Sequence, residues 1–330
     1  MNSESPAPIV EYDRRFKLFG SHVRVLIGAP TRAGLPSPEA MGIQIEFFLR
    51  LLHRKLTRFD RNSELCALNA DPGERCSVSP TLAMAVEAAL WAARTSNGLV
   101  DPTLVGELER AGYASSKADL ESAEIEDALA VAPKRRPASP RSGAPWRDIS
   151  VDPVAGIVSR PAGVRIDTGG SGKGLAADLA SNRLDGYATF AVDAGGDLRI
   201  GGERPVPRLV RIDHPLRDEP AHGLMLERGA VATSGMKTRL WPTEEGFAHH
   251  LLDPATGEAA WTGVIQATSL GETALEAETL AKMAFLSGPE MAGEVLAARG
   301  GLVVLDDGRV ELFGSVAAPE PEAAEAVIPA

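Results

Sequence analysis

The sequence predicts a mixed protein of α-helices and a sheet in which successive strands pair through short turns. Three observations lead there. Apolar residues recur at helical spacing over Pro38–Leu56, at Met41, Ile45, Phe48, Leu49 and Leu52, and an alanine-rich helix is expected over Pro80–Thr95. The second half of the chain is rich in alternating apolar and polar runs, and two of them, FAVDAGGDLRIGG and GLVVLDDGRVELFG, fold back through glycine turns. At 330 residues the chain can bury a large core, as one extended domain or as two lobes.

In chain order, a Pro- and Ser-rich start leads into RRFKLFGSHVRVLIGAP, where VRVLIG alternates as a strand does and opens the first sheet. Ser37 stands at the N-cap of the first helix, and Asn97-Gly98 is a stop signal for the second. Between them TRFDRNSELCALNADPGE reads as a polar turn and a short apolar pattern, either a binding loop or a connector. LVDPTLVGELERAGY follows, and KADLESAEIEDALAVAP reads as a solvated helix. The stretch from Pro133 to Trp146 is basic, Pro-rich and poor in apolar groups, which predicts a mobile loop and the best internal linker. ISVDPVAGIVSR and GVRID read as strands, and RLVRIDHP and HGLMLERGAVATSG as extensions of the sheet. Glu272 to Ala298 reads as a helix broken near Gly288-Pro289, and the tail APEPEAAEAVIPA as disordered.

Composition narrows the function. Thirty-four basic against forty-five acidic residues give a formal charge of -11, which argues against nucleic acid or an anionic membrane as partner. The opening MNSESPAPIVEYDRRF lacks a basic region followed by an apolar run, and no stretch approaches the length of a membrane-spanning helix, so a cytoplasmic location is expected. Cys66 and Cys76 have no His or Cys companions at zinc spacing, so neither a disulfide framework nor a structural zinc site is indicated.

Chemistry is most visible in RIDTGGSGKGLAAD, residues 165–178, where an apolar segment meets an acid, four glycines within six residues, and Lys173. The order suggests a strand end, a loop of backbone donors and a helix start, which suits phosphate oxygens. It is not a Walker loop, because Asp167 and Gly174 stand where Gly and Ser or Thr are required. Nor is it a dinucleotide fingerprint, because Leu175 occupies the third glycine position. A plain strand-to-helix turn with a surface lysine fits the segment equally well. DAGGD, Asp193 to Asp197, offers bare backbone to a ligand or a simple hairpin turn. VATSG holds Ser234, a weak nucleophile without an acid-base partner nearby, with Lys237 and Arg239 downstream. In FAHHLLDPATGE a strand would point His249 and His250 to opposite faces, so at most one faces a site. Glu278 and Lys282, four apart on a helix, form at the least an intrahelical salt bridge of about 0.3–0.5 kcal/mol.

In their order, FKLFGSHVRV, TRFDRNSELCALN, LVDPTLVGEL, RIDTGGSGKGLAAD, DAGGDLRIGG, VATSG, HHLLDPATG and EAETLAKMAFLSG resemble the FAD:protein FMN transferase family, also called ApbE, from about Phe16 to Gly288. The resemblance implies an α+β fold of two packed lobes, mostly antiparallel sheet with flanking helices. It would form one domain over residues 16–315, between a flexible start, 1–15, and a disordered tail, 316–330. It implies FAD and a divalent metal, usually magnesium, with FAD cleaved at its pyrophosphate. FMN would then be attached by a phosphoester to a Thr or Ser of an acceptor flavoprotein, releasing AMP. By resemblance, Asp167, Lys173, Asp197 and Ser234 contact the nucleotide, Leu99, Val100 and Asp101 line the cleft, and Phe59 packs on the ligand. Phe19 stands where the family has a flavin-contacting Met, Gly170 and Glu278 belong to the metal site, and His250 is the general base acting with Lys173. The chemistry agrees, since splitting a pyrophosphate gathers negative charge and calls for fixed cations and backbone donors.

Two further departures from the family pattern bear on activity. SGMKTR lacks the usual Asp-Tyr after Ser-Gly, and Glu278 and Lys282 stand where the family has a metal-binding Asp and Thr. Magnesium wants oxygen ligands, and an ammonium group is not one. Either Glu278 still binds a displaced magnesium with the Gly170 carbonyl, or the Lys282 ammonium takes the cation's place. The rival functions are an FAD-binding relative without transferase chemistry, and an FAD pyrophosphatase in which water replaces the acceptor hydroxyl.

Overall fold

The structure, a computed structural model, describes residues 10–117, 121–316 and 328–329. Residues 1–9 of the expected flexible start, 118–120 of the expected charged helix, and 317–327 and 330 of the expected tail lie outside the described residues. The chain opens with a hairpin, β1 (Tyr12–Leu18) and β2 (Ser21–Ile27), whose turn holds Phe19 and Gly20 at φ of 56° and 68°. Then comes α1 (Pro38–Leu56), the helix its periodicity predicts, with Ser37 accepting a hydrogen bond from the Ala40 amide. The segment that reads as loop or connector contains a helix, α2 (Glu64–Ala70), capped by Ser63. Seven residues make only two turns, too few to register as a period. After β3 (Arg75–Ser77), α3 (Pro80–Thr95) ends where expected, with Asn97 and Gly98 at φ of 51° and 90°.

Helices α4 (Val105–Arg110) and α5 (Ile125–Ala130) are short. The charged run that reads as one solvated helix is helical only in α5 among its described residues. Ahead of it the Ala123 amide bonds to the Leu240 carbonyl and Ser122 Oγ accepts from the Leu240 amide, so cross-chain partners replace helical ones. The Pro133 to Trp146 stretch is irregular until a 3₁₀ turn over Pro145–Asp148. It is tied down by Arg136 N to Trp261 O, Ala138 N to Leu286 O and Ser139 N to Asp253 Oδ1, at 2.9, 2.8 and 2.9 Å. Strands β4 (Ser150–Asp152) and β5 (Ile157–Ser159) join β3 in a small antiparallel sheet of order β3-β5-β4. GVRID, expected as a strand, is not one. The Asn69 side-chain amide holds both backbone groups of Ile166, and Asp167 N donates to Pro102 O, so no ladder is needed.

The rest of the chain builds the main sheet and its cover: α6 (Gly172–Ser181), β6 (Phe190–Asp193), β7 (Asp197–Gly201), β8 (Arg208–Asp213), β9 (Pro220–Leu226), β10 (Gly229–Gly235), β11 (Leu240–Thr243), β12 (Gly246–His249), β13 (Val264–Gly271), α7 (Ala274–Ser287), α8 (Pro289–Leu296), β14 (Gly301–Leu305) and β15 (Val310–Phe313). The main sheet has eight strands in the order β1-β2-β6-β7-β10-β13-β14-β15, every neighbour antiparallel. RLVRIDHP and the first half of HGLMLERGAVATSG do not extend it. They pair as β8 and β9 in a separate sheet, joined in parallel by β16 (Ile328–Pro329). Strand alternation explains why, because the main sheet is apolar on both faces. Val23, Val25, Ile27, Val192, Ala230 and Ala232 pack under α1, α6 and α7. Leu26, Ala191, Leu198, Ile200 and Val231 pack against Val210, Ile212 and Leu224 of β8 and β9. The small sheet with α2 and α3 encloses a separate cluster around Leu65, Leu82, Trp146 and Ile166, and α3 packs on α1, α6 and α7. The result is an α+β fold of two packed lobes.

Candidate active site

The site is organised by the crossing of α6 and α7. Gly174 lies so close to α7 that a Cβ there would meet the Ala274 carbonyl oxygen at 2.5 Å, so only glycine lets the helices approach. Each helix leaves its first amides without partners inside its own turns. Asp178 of α6 accepts from Ala274 N and Leu275 N at 2.8 and 3.0 Å and so caps α7. Glu278 of α7 accepts from Gly174 N at 2.9 Å, and so caps α6, whose Ser171 makes no side-chain cap bond. The two acids cap each other's helix, and that exchange places Glu278 beside Lys173.

Two ion pairs lie at this crossing. Lys282 Nζ is 2.7 Å from Glu278 Oε1, and both residues are buried, at 8% and 0% exposure. This is not the exposed intrahelical pair that four-residue spacing alone suggests. Burial pushes the Glu278 carboxyl above its ordinary range, against the pull of Lys282 and Lys173. Lys173 is no surface lysine either: its Nζ contacts Asp197 Oδ2 and the Gly195 carbonyl, both at 2.9 Å. Burial works to lower the Lys173 ammonium, but Asp197 and Glu278 outweigh it and leave it raised. The DAGGD turn supplies that carbonyl because Asp193 Oδ1 accepts from the Gly195 and Gly196 amides, and both glycines adopt positive φ, 81° and 94°. Burial lifts the Asp193 carboxyl to about 6, opposed by its bond from Gly196.

The two histidines part as a strand end dictates. His249 is buried, with Phe285 and Trp261 edge-on, its Nε2 donating to the Ala260 carbonyl and its Nδ1 accepting from the Leu251 amide. Burial lowers it to about 4, so it is a neutral core residue. His250 is half-buried, and its Nδ1 is buried without a hydrogen-bond partner. Burial holds it well below its ordinary value, helped by Arg239, His249, Lys282 and Lys173. His250 thus lies within electrostatic reach of these cations, and Arg239 is held by a 3.2 Å bond from its Nη2 to the Phe19 carbonyl.

A second wall carries Asp167, Phe59 and the Leu99 to Asp101 segment. Asp167 pairs with Arg58 Nε at 3.1 Å and accepts from the Gly169 amide. The Arg58 guanidinium lies 4.3 Å from the Phe59 ring centroid and 4.6 Å from that of Tyr113, which stacks on Trp241. Phe59 stays 38% exposed. A Cβ at Gly170 would stand 3.3 Å from Val100 Cγ1, a tight contact that brings this loop against Val100, and Leu99 is buried beside it in sequence. Asp101 turns its carboxylate inward to the Thr103 amide, 2.7 Å away, with Arg141 at 3.5 Å. Ser234 is buried on β10 opposite Ala267.

The fold thus gathers Lys173, Asp197, Glu278, Lys282 and His250 in one cluster, with Arg58, Phe59 and Asp167 in another. The sequence marks Arg239 only as a residue downstream of Ser234, and it does not mark Asp178 or Asn69. Their work is done across the fold, and no local spacing marks them. A divalent ion does not fit the cluster as built. Glu278 has both oxygens engaged, the two neighbouring side-chain cations are lysines, and Asp197, whose two oxygens are buried without a hydrogen bond, is the one carboxylate left at the crossing, with its Oδ2 already 2.9 Å from the Lys173 ammonium. Among the described residues no group of three or more His, Cys, Asp or Glu side chains is placed to hold a metal, and no helix is long and apolar enough to cross a membrane.

Comparison with known proteins identifies the family and the fold. The profile of the ApbE family matches residues 19–305. The FAD:protein FMN transferase of Treponema pallidum is 28% identical over 304 residues, 86% of this chain and 81% of that protein. The corresponding protein of Rhodobacter capsulatus is 27% identical over 92% of this chain but only 57% of its own length. The crystal structure of the ApbE protein from Thermotoga maritima superposes with a TM-score of 0.74 at 28% identity, covering 92% of this chain and 97% of that one. The flavin transferase ApbE from Vibrio cholerae, at 19% identity and a TM-score of 0.70 over 93% and 98% of the two chains, shares the fold. The chain belongs to the ApbE family.

Proposed function

We propose that the protein transfers FMN from FAD to a Thr or Ser hydroxyl of an acceptor protein, releasing AMP. The observation that carries this reading is the Lys173 ammonium, held by Asp197 and the Gly195 carbonyl at the start of α6, together with a His250 whose buried Nδ1 has no hydrogen-bond partner. The acceptor oxygen attacks the phosphorus of the FMN half, and the bond from that phosphorus to the bridging oxygen breaks. AMP leaves with that oxygen, and the hydroxyl proton passes to His250. Among these side chains alone His250 is a weak base because burial and neighbouring cations oppose its charging. The diphosphate's negative charge reverses the second influence and strengthens the base when substrate is present. Phe59, Leu99, Val100, Asp167, Asp197 and Ser234 are assigned to the FAD cleft, Asp101 to shaping its wall through Thr103, and Phe19 to the flavin end.

Of the two readings of the cation, the Lys282 ammonium is the better supported, because it already occupies Glu278 Oε1. FAD affinity is then expected to be unchanged by EDTA or added magnesium, and a strong metal dependence overturns this assignment. Incubating the protein with FAD and an acceptor tests the reaction itself, with AMP, free FMN and flavinylated acceptor as readouts. Flavinylated acceptor is expected. Free FMN alone would point to hydrolysis, and tight FAD binding without turnover to a binding module.

A further inference from the structure

Lys173 and Lys282 each have a carboxylate partner, Asp197 and Glu278, at 2.9 and 2.7 Å. The third acid, Asp193, is held by two glycine amides. Arg239 is different. Its recorded bond is to a neutral acceptor, the Phe19 carbonyl, and no carboxylate of the described residues lies within ion-pair distance of it. A guanidinium carries five donors in a planar fork, so one bond to a carbonyl leaves most of them for another acceptor. The hairpin turn it is tied to abuts the Lys173 site, since a Cβ on Gly195, whose carbonyl accepts from Lys173, would stand 2.7 Å from Ser21 Cβ, and from there Arg239 opposes the charging of Lys173 and His250. Arg239 is half-buried, and a cation beside like charges without an acid of its own gains from an anion that completes the group. Phe19, which accepts its bond, holds a left-handed backbone at φ 56°. The turn of the first hairpin thus anchors the guanidinium in place.

We propose that Arg239 is a binding residue for the diphosphate of the nucleotide and, with Lys173 and Lys282, makes that site independent of a divalent ion. The proposal rests on the FAD reading for the identity of the ligand and on the geometry alone for the presence of an anion site. The fork binds phosphate oxygens in bidentate fashion, and the two lysines neutralise the remaining charge.

The test is calorimetric titration of the full chain and of Arg239→Gln and Arg239→Lys in EDTA, with FAD, ADP, inorganic pyrophosphate and riboflavin. Thermal unfolding of each variant establishes that it is folded. Arg239→Gln is expected to weaken FAD, ADP and pyrophosphate by about 10- to 100-fold, in line with loss of a charged hydrogen-bonded contact. Riboflavin affinity should stay within about twofold and Arg239→Lys should recover part of the loss, because an ammonium keeps the charge without the fork. The proposal is overturned if Arg239→Gln binds ADP and pyrophosphate as the parent does. It is equally overturned if riboflavin falls in parallel, which would assign Arg239 to holding the Phe19 turn, or if parent binding of pyrophosphate requires magnesium. Failure of the transferase reading looks different, with ADP and pyrophosphate binding that still depends on Arg239 but no AMP formed from FAD.

Discussion

Lys282 and Glu278 show how far one residue's meaning depends on its surroundings. On an exposed helix face their pair would contribute a few tenths of a kcal/mol, but here both are buried and Glu278 also holds the Gly174 amide. Lys282→Met leaves a buried carboxylate without its partner and is expected to lower stability by about 3–5 kcal/mol, read from urea unfolding. Adding Glu278→Gln, which keeps an acceptor for Gly174 N and removes the charge, should recover most of that loss. If the double variant is as unstable as the single, the pair is not the source of the cost. His249 gives a prediction in pH. Burial lowers it from the ordinary 6.5 to about 4, so the unfolded chain binds the proton first as pH falls. Its contribution is full above the unfolded value and is lost on the way down to the folded one. Between about pH 7 and pH 4.5 the parent should lose about 2 kcal/mol more than His249→Gln. Equal slopes in the two proteins would exclude His249 as the titrating group. The sequence already shows that only one of the two histidines can face a site, but which one depends on Phe285 and Trp261, far along the chain.

Among the elements, α6 and α7 are the pair that makes the site. Their starts and ends are readable from glycine, Pro and periodicity, but the exchange of capping acids between them is not, because Asp178 and Glu278 lie a hundred residues apart. Asp178→Ala removes the partner of two α7 amides and is expected to cost about 1–2 kcal/mol. Gly174→Ala drives a methyl group into the Ala274 carbonyl, 2.5 Å away, where backbone cannot yield cheaply. A loss of about 1–3 kcal/mol is expected with it. Because the clash also displaces Gly174 N from Glu278, FAD affinity should fall in Gly174→Ala more than in Asp178→Ala. Comparable affinities in the two variants would separate the helix crossing from the ligand site. The short α2 and the unpaired GVRID segment escaped the sequence for the same reason, since the first has too few turns and the second finds its partners in Asn69 and Pro102.

For the whole molecule, the all-antiparallel eight-stranded sheet is apolar on both sides and is covered by helices on one face and by the β8–β9 sheet on the other. The cations of the site come from α6, from α7 and from the segment between β10 and β11, so a ligand bound there would tie together distant parts of the chain. FAD at about a hundredfold over its dissociation constant is expected to stabilise the fold by about 2.7 kcal/mol. A rise in melting temperature that is the same with and without EDTA is the measurement, and an increase seen only with magnesium contradicts it.

What the sequence determined by itself is the longer helices, the glycine hairpins and the order of the motifs. Helical periods, N-caps, glycine stops and glycine hairpins are local properties, written within a few residues. The same locality made Lys173, His250 and the Glu278–Lys282 pair visible as candidates. The tertiary structure decided which of them meet, which strands leave the main sheet, and which charges lack a partner. Burial and pairing are properties of distance in space, so Lys282 became a buried counterion and Arg239 a cation without an acid only once α6, α7 and the first hairpin had come together.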